Sequence, residues 1–231
     1  PLDARPLSFG SWIGGDRDGH PFVTSDVTSK ALKAMRVSAL RVHRRDMELL
    51  AQNSPLSSLF QITPPVLQGL IEKLKGVLSA ESSVDVDYIL ERNKEEPWRF
   101  AAYMIRARLA LELEKPGIKA GYATPADLLE DLNVYAESLE SVGAGALVTE
   151  FIVPFRRRLE AFGFHSATLD VRQNSAFHEK ALEQLLKTAG LLGDRPLAEW
   201  SLAEKRALLE KELLSSRPFL AAGMSAGAEA D

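Results

Sequence analysis

Residues 9–21, Phe-Gly-Ser-Trp-Ile-Gly-Gly-Asp-Arg-Asp-Gly-His-Pro, are the part of the sequence best suited to binding a ligand. Glycines let the backbone approach a ligand closely, and Asp16, Arg17 and Asp18 concentrate charge directly after a predicted strand. The segment lacks the Gly-Lys-Ser/Thr of a Walker A loop, the dinucleotide-binding glycine spacing and the ligand spacing of an EF-hand. The pattern therefore favours a ligand-binding loop over an ordinary tight turn whose charged residues pair with one another near the surface.

The other charged clusters are more typical of solvated helix surfaces than of sites. The arginines at 156–158 could line an anion path or simply cover a helix. His165 and His178 lack the spacing of a metal-binding pair. A basic stripe on the first predicted helix could bind an anionic partner but more often faces solvent; it consists of Lys30, Lys33, Arg41 and Arg44.

Bulk composition narrows the class of protein. The 231 residues, 45% of them hydrophobic, are enough for a full-sized core. A net charge of −4 argues against a nucleic-acid binder, and the lack of cysteine excludes disulfides and thiolate chemistry. No run approaches the roughly 20 apolar residues that a membrane span needs. We therefore expect a soluble, cytoplasmic protein without a nucleic-acid or membrane partner.

Most of the chain has the apolar periodicity of amphipathic helices. Thr24, Thr124 and Ser201 are predicted N-caps, and Pro154 should kink its helix or delay its start. Only two segments, 8–13 and 167–172, have the short β-branched or aromatic runs of strands, and two strands cannot form a stable sheet alone. The predicted helices span residues 24–52, 66–78, 85–93, 98–114, 124–141, 146–162, 175–189 and 202–214.

Residues 9–21 resemble the F-G-S-W-(M/I)-G-G-D-R-D-G-N-P segment of phosphoenolpyruvate carboxylases almost residue for residue. Further segments follow in the family's order up to about residue 220. Departures are few: His20 replaces a commoner asparagine, and Asn174 replaces a glutamate found in many members. The matching segments are 96–99 (E-P-W-R), 106–109 (R-A-R-L), 168–173 (T-L-D-V-R-Q, similar to the family's L-D-(I/V)-R-Q) and 216–218 (S-R-P).

The resemblance implies a carboxylation. Bicarbonate attacks the phosphate of phosphoenolpyruvate to give carboxyphosphate and an enolate, which recombine into oxaloacetate and phosphate. It also implies a divalent metal ion, Mg²⁺ or Mn²⁺, in the whole enzyme, although we expect none to be bound by this chain's own ligands. The expected partners are phosphoenolpyruvate, bicarbonate, the rest of a longer chain and further copies of it in a homo-oligomer, a tetramer.

The resemblance assigns roles to five residues. Arg172 would be catalytic and bind the substrate phosphate, since its planar guanidinium suits bidentate contact; the alternative is a structural pair with an acid such as Asp170. Trp12 would line the pocket around the substrate methylene group, or would be a core tryptophan. Asp16, Arg17 and Asp18 would organise the substrate-binding loop, or would merely pair near the surface.

The resemblance also sets the expected fold. We predict a mainly α protein, a helical bundle with two short parallel strands, as a fragment of a (β/α)₈ TIM-type barrel with long helical insertions. Residues 1–220 would form one partial carboxylase domain, with neighbouring barrel strands near 8–13 and 167–172 and a helical excursion over 24–162. Residues 221–231 would form a flexible tail.

Several of the family's catalytic segments have no counterpart in the sequence, which indicates an internal piece of a longer enzyme. The missing parts are a T-A-H-P-T-E segment, the segment with metal-binding carboxylates and a glycine-rich arginine loop. We therefore expect this chain alone to be inactive. The alternative is a non-catalytic helical interaction or regulatory module derived from the family. Joint retention of Trp12, Arg172 and the charged loop 16–18 counts against that alternative.

Overall fold

The computed structural model describes residues 7–18, 20, 22–81, 83–221, 223–227 and 230. Residues 19 and 21 of the glycine-rich motif and part of the predicted tail lie outside these ranges. The chain divides into two compact units, one of residues 1–11 and 31–168 and one of residues 12–30 and 169–231.

Helices make up most of the described chain, and their bounds lie within one or two residues of the prediction over most of its length. The first seven are α1 (Ser25–Gln52), α2 (Pro65–Leu78), α3 (Val86–Arg92), α4 (Pro97–Glu114), α5 (Pro125–Glu140), α6 (Gly145–Leu147) and α7 (Val153–Phe162). They are followed by α8 (Ser175–Thr188), a 3₁₀ turn (Leu197–Glu199) and α9 (Leu202–Leu213). The strands are β1 (Gly10–Ser11) and β2 (Thr168–Leu169).

Local capping fixes the start of α5. Thr124 accepts a hydrogen bond from the Asp127 backbone N–H, and the Asp127 carboxylate accepts one from the Thr124 backbone N–H at 2.8 Å. Pro125 occupies the first turn, where its missing N–H costs nothing. The predicted start at Thr124 is confirmed because these interactions involve only residues close in sequence.

Pro154 changes the helix type without ending the helix. A π turn, Val148–Ile152, joins α6 to α7, and the Val153 N–H donates to the Val148 carbonyl five residues earlier. In a regular α-helix the proline ring would clash with the carbonyl four residues before it, so a wider turn directly before Pro154 relieves the clash. The sequence predicted the disturbance but not its form.

The first unit has one apolar core, to which α2, α4 and α5 contribute most. Trp98 is fully buried, and its indole Nε1 donates to the Ser138 hydroxyl at 3.0 Å. Tyr135 is also fully buried and donates to the Trp98 carbonyl at 3.1 Å. The large aromatic side chains are therefore buried without leaving these polar atoms unsatisfied.

A buried ionic network crosses the same unit. The carboxylate of Asp131 accepts hydrogen bonds from Lys73 Nζ at 2.9 Å, Arg108 Nη1 at 2.9 Å and Tyr122 Oη at 2.7 Å. Arg108 also donates to the backbone carbonyls of residues 120 and 121. Because Asp131 and Arg108 are both buried, each needs the other to remain charged at low cost.

His43 joins α1 to the turn that precedes β2 within the first unit. Its Nε2 donates to the Gly163 carbonyl at 2.7 Å, and its ring stacks on Phe155 with centroids 5.7 Å apart. Nδ1 is buried and has no hydrogen-bond partner among the described residues. Burial lowers the pKa of His43, since a second ring proton would have no acceptor.

The second unit contains α8, α9 and a smaller apolar cluster around Leu186, Leu192 and Leu197. Ser201 and Glu204 form the predicted capping box of α9. The Glu204 carboxylate accepts hydrogen bonds from Arg195 and from the Ser201 backbone N–H. These contacts lower the pKa of Glu204 to about 2. In the described part of the tail, the Ala230 N–H donates to Gln184 Oε1 at 3.2 Å.

The expected fold class is confirmed at its coarser level: the chain is mainly helical, with two short parallel strands. β1 and β2 form a two-stranded sheet, and the Thr168 N–H donates to the Phe9 carbonyl at 2.8 Å. Regular pairing covers fewer residues than the segments 8–13 and 167–172. None of the described helices has the length and apolarity required to cross a membrane.

Candidate functional site

A tight turn at residues 12–16 gives the glycine-rich loop its shape. The backbone N–H groups of Gly15 and Asp16 both donate to the Trp12 carbonyl, at 2.9 and 3.0 Å. Gly14 has φ = 81°, which residues with a side chain rarely adopt. The turn therefore depends on glycine at position 14.

The loop then pairs with the end of the second strand segment. The Arg172 N–H donates to the Gly15 carbonyl and the Arg17 N–H donates to the Arg172 carbonyl, both at 2.9 Å. Asp16 and Arg172 thus form a parallel bridge, which confirms the prediction that the two segments run parallel as neighbours. Gly15 is buried, and a Cβ placed there would lie 2.4 Å from the Asp170 carbonyl oxygen. Only glycine permits this close approach.

This pairing brings Arg172 and Trp12 together. The guanidinium carbon of Arg172 lies 5.4 Å from the centroid of the Trp12 ring, within cation–π range. Trp12 is 59% exposed, so within this chain it is not a core tryptophan. A cation and an apolar face are therefore adjacent and both accessible.

Arg172 also forms the ion pair that the sequence offered as a structural alternative. Its Nε lies 3.0 Å from Asp170 Oδ2, and both side chains are more than half exposed. Among the described residues, no hydrogen bond engages Nη1 or Nη2 of Arg172. The ion pair and an anion-binding role are thus compatible, because they use different edges of the guanidinium.

Arg17 contacts the first turn of α1. Its Nη2 donates to the Thr28 hydroxyl at 3.0 Å, and that hydroxyl donates to the Gly14 carbonyl at 2.7 Å. Arg17 Nε is buried without a hydrogen-bond partner in the described residues. These contacts connect the loop to the helix that follows it.

The two aspartates of the loop are less engaged. Asp16 is half-buried and contributes its backbone to the bridge with Arg172, whereas Asp18 is exposed. Neither carboxylate forms an ion pair within the ranges that the structure describes. The structure therefore brings together Trp12, Arg172 and the backbone of Asp16 and Arg17, and leaves Asp18 at the surface.

The described residues of the site do not supply a metal-binding group. In the described part of the chain, no three His, Asp or Glu side chains lie close enough together to hold a metal ion. The described residues consequently do not fit the divalent metal ion that the family resemblance implies.

Three contributors to the site were not identified as such from the sequence. Thr28 carries no signal beyond its place in the first turn of a helix. Gly15 belonged to a recognised motif, but its contact with Asp170 requires knowledge of the strand pairing. Asp170 was expected only as an alternative partner of Arg172, although its position two residues earlier in the chain allows the two side chains to meet.

Comparison with known proteins identifies the family of this chain. The family model of phosphoenolpyruvate carboxylase matches residues 1–231. The carboxylase of Rhodopseudomonas palustris (strain ATCC BAA-98 / CGA009) is 36% identical over 225 residues, which cover 92% of this chain and 22% of that protein. The carboxylase of Nocardia farcinica is 37% identical, over 95% of this chain and 24% of that protein. The carboxylase of Aromatoleum aromaticum is 38% identical, over 92% of this chain and 23% of that protein. The chain thus spans less than a quarter of the length of these curated relatives. With its whole length matched by the family model, the chain belongs to the phosphoenolpyruvate carboxylase family.

Proposed function

We propose that this chain supplies part of the substrate site of a phosphoenolpyruvate carboxylase, which forms oxaloacetate and phosphate from phosphoenolpyruvate and bicarbonate. In this proposal Arg172 binds the substrate phosphate and Trp12 lines the pocket beside the substrate methylene carbon. The loop residues Asp16, Arg17 and Asp18 keep the site in shape.

The observation that carries the proposal is the contact between Arg172 and Trp12. An arginine whose terminal nitrogens have no hydrogen-bond partner among the described residues lies against an exposed indole, and paired backbones hold the two together. A phosphate ester with an adjacent vinyl group offers a dianion for the arginine and an apolar carbon for the ring. Family membership supports the same substrate.

The chemistry assigns each residue a separate task. As a bicarbonate oxygen attacks phosphorus, the bond between phosphorus and the enol oxygen breaks, which leaves carboxyphosphate and the enolate of pyruvate. Arg172 stabilises the negative charge on the phosphoryl oxygens during this transfer. Trp12 excludes water from the methylene carbon, so that this carbon bonds to the carboxyl carbon of carboxyphosphate, which releases phosphate, instead of accepting a proton.

Further parts of the proposal concern the whole enzyme. The strands β1 and β2 would belong to a (β/α)₈ barrel, with Arg172 at the carboxyl end of its strand, where barrel enzymes collect catalytic groups. The divalent metal ion would be held outside the described residues. The enzyme would be cytoplasmic and tetrameric, and this chain alone would have no turnover, because the members of a catalytic group act together.

The test is an oxaloacetate assay of the complete protein that contains these residues. Arg172→Ala should lower kcat/KM for phosphoenolpyruvate about 10- to 150-fold, the equivalent of about 1.5–3 kcal/mol for a charge-assisted contact. Arg172→Lys should recover only part of this, since an ammonium group cannot form the bidentate contact.

Arg157→Ala is the matched control, because Arg157 is an exposed arginine of α7. It should retain wild-type kinetics. A folded Arg172→Ala protein within about threefold of wild type would reject the proposed role and return Arg172 to a structural pair with Asp170.

A further inference from the structure

Asp170 and Arg172 lie two residues apart in the segment that follows β2 and enters the site, close enough for their side chains to contact each other. The resulting ion pair joins Asp170 Oδ2 to Nε of Arg172 at 3.0 Å. It therefore occupies the Nε edge of the guanidinium, and within the described ranges no hydrogen bond engages Nη1 or Nη2.

Two other contacts constrain Arg172, one at its guanidinium and one at its backbone. The Trp12 ring lies against it at 5.4 Å from the guanidinium carbon. The Arg172 backbone N–H donates to the Gly15 carbonyl, and the Arg172 carbonyl accepts from the Arg17 N–H, both at 2.9 Å. Backbone hydrogen bonds thus fix the position of the residue, while the contact with Asp170 engages the Nε edge of its side chain.

We propose that Asp170 is a positioning residue, which holds the Nε edge of Arg172 so that Nη1 and Nη2 are presented together to the phosphate of the substrate. This inference rests on the proposed function of Arg172 as the phosphate ligand. Asp170 touches neither substrate nor reacting atoms and acts only through Arg172.

The physical reason is the cost of ordering a long side chain. An exposed ion pair adds little to folding stability, so the pair is not explained by stability alone. An arginine ordered before the substrate arrives loses less conformational freedom when it binds phosphate. A bidentate contact also needs both terminal nitrogens on the same side, and an arginine free to rotate offers them only part of the time.

The proposal predicts a change confined to phosphate recognition. In the complete enzyme, Asp170→Ala should raise the KM for phosphoenolpyruvate and the inhibition constant of inorganic phosphate by the same factor, about 3- to 10-fold, as expected for one unordered side chain. The KM for bicarbonate and the melting temperature should stay near wild type. Asp170→Asn should recover most of the loss, because the amide oxygen still accepts from Nε.

A double-mutant cycle decides whether Asp170 acts through Arg172. In an Arg172→Ala background, Asp170→Ala should have no further effect on either phosphate constant. Asp194→Ala serves as the control, since Asp194 is an exposed acid of the same unit and no ion pair of Asp194 is present among the described residues.

The outcomes separate the two proposals. If Arg172→Ala is deleterious but Asp170→Ala is within twofold of wild type, or keeps its effect without Arg172, positioning by Asp170 is rejected and the role of Arg172 stands. An equal rise in the bicarbonate KM would also reject it, as general damage. If Arg172→Ala has no effect, the proposed function fails, and the inference fails with it.

Discussion

Replacing Gly15 by alanine tests the backbone pairing on which the candidate site depends. The new Cβ would lie 2.4 Å from the Asp170 carbonyl oxygen and 3.2 Å from Leu169 Cδ1. Ordinary contacts begin near 3.4 Å, so the two segments must separate by up to about 1 Å to accept the methyl group. A flexible side chain could move aside, but a carbonyl oxygen moves only with its strand.

The expected cost follows from the hydrogen bonds that flank Asp16. The bonds from the Arg172 N–H to Gly15 and from the Arg17 N–H to Arg172 are both 2.9 Å long. Lengthening by about 1 Å takes both beyond hydrogen-bonding distance. At about 0.5–1.5 kcal/mol for each bond, the local opening free energy should fall by about 1–3 kcal/mol.

Hydrogen exchange measured by NMR reads this loss directly, since the affected donors are the amides of Arg17 and Arg172. A change of about 1–3 kcal/mol corresponds to an approximately 5- to 150-fold loss of protection at these two amides. Gly10→Ala is the matched control, because a Cβ at Gly10 meets nothing within 4 Å. It also measures the small gain that any glycine-to-alanine change brings by restricting the unfolded chain. Protection within twofold of wild type at both amides of Gly15→Ala would show that the close approach is not required.

Two further predictions concern the first unit. The free energy of unfolding should fall as the pH is lowered from 7.5 to 5.5. In the unfolded chain His43 has a pKa near 6.5 and binds a proton over this range, whereas in the folded chain burial lowers its pKa and the ring stays neutral. Acid therefore favours the unfolded state. Urea titrations should show a weaker pH dependence for His43→Leu, and an unchanged dependence would contradict the assignment. Asp131→Ala should reduce the free energy of unfolding by about 3–5 kcal/mol, since it leaves the charge of Arg108 buried and unpaired. Glu130→Ala, which removes an exposed neighbouring acid, should cost under about 1 kcal/mol, and similar denaturation midpoints for the two variants would refute the network's role.

The amino-acid sequence by itself determined where the helices lie and which loop carries the candidate site. Helix starts such as those at Thr124 and Ser201 depend on side chains three residues apart, so local chemistry is sufficient to locate them. The glycine-rich motif likewise identified residues 9–21, and its resemblance pointed to the family that the comparisons establish. The parallel arrangement of the two strand segments also followed from the expected topology.

Only the tertiary structure decided how the side chains of the site are used. The expected topology placed Trp12 and Arg172 on one wall, but the direct contact between the Trp12 ring and the Arg172 guanidinium, 160 positions apart in the chain, is seen only in the structure. The structure also gave Arg17 a hydrogen-bonding partner in Thr28, and it showed that Arg172 pairs with Asp170 through Nε. The π turn before Pro154 also depends on tertiary packing. The proline predicted a disturbed helix, but Val148 and Ile152 are buried in the core, and this burial keeps the helix continuous. Local interactions fix the elements, whereas the choice among a side chain's partners depends on packing between segments that are remote in sequence.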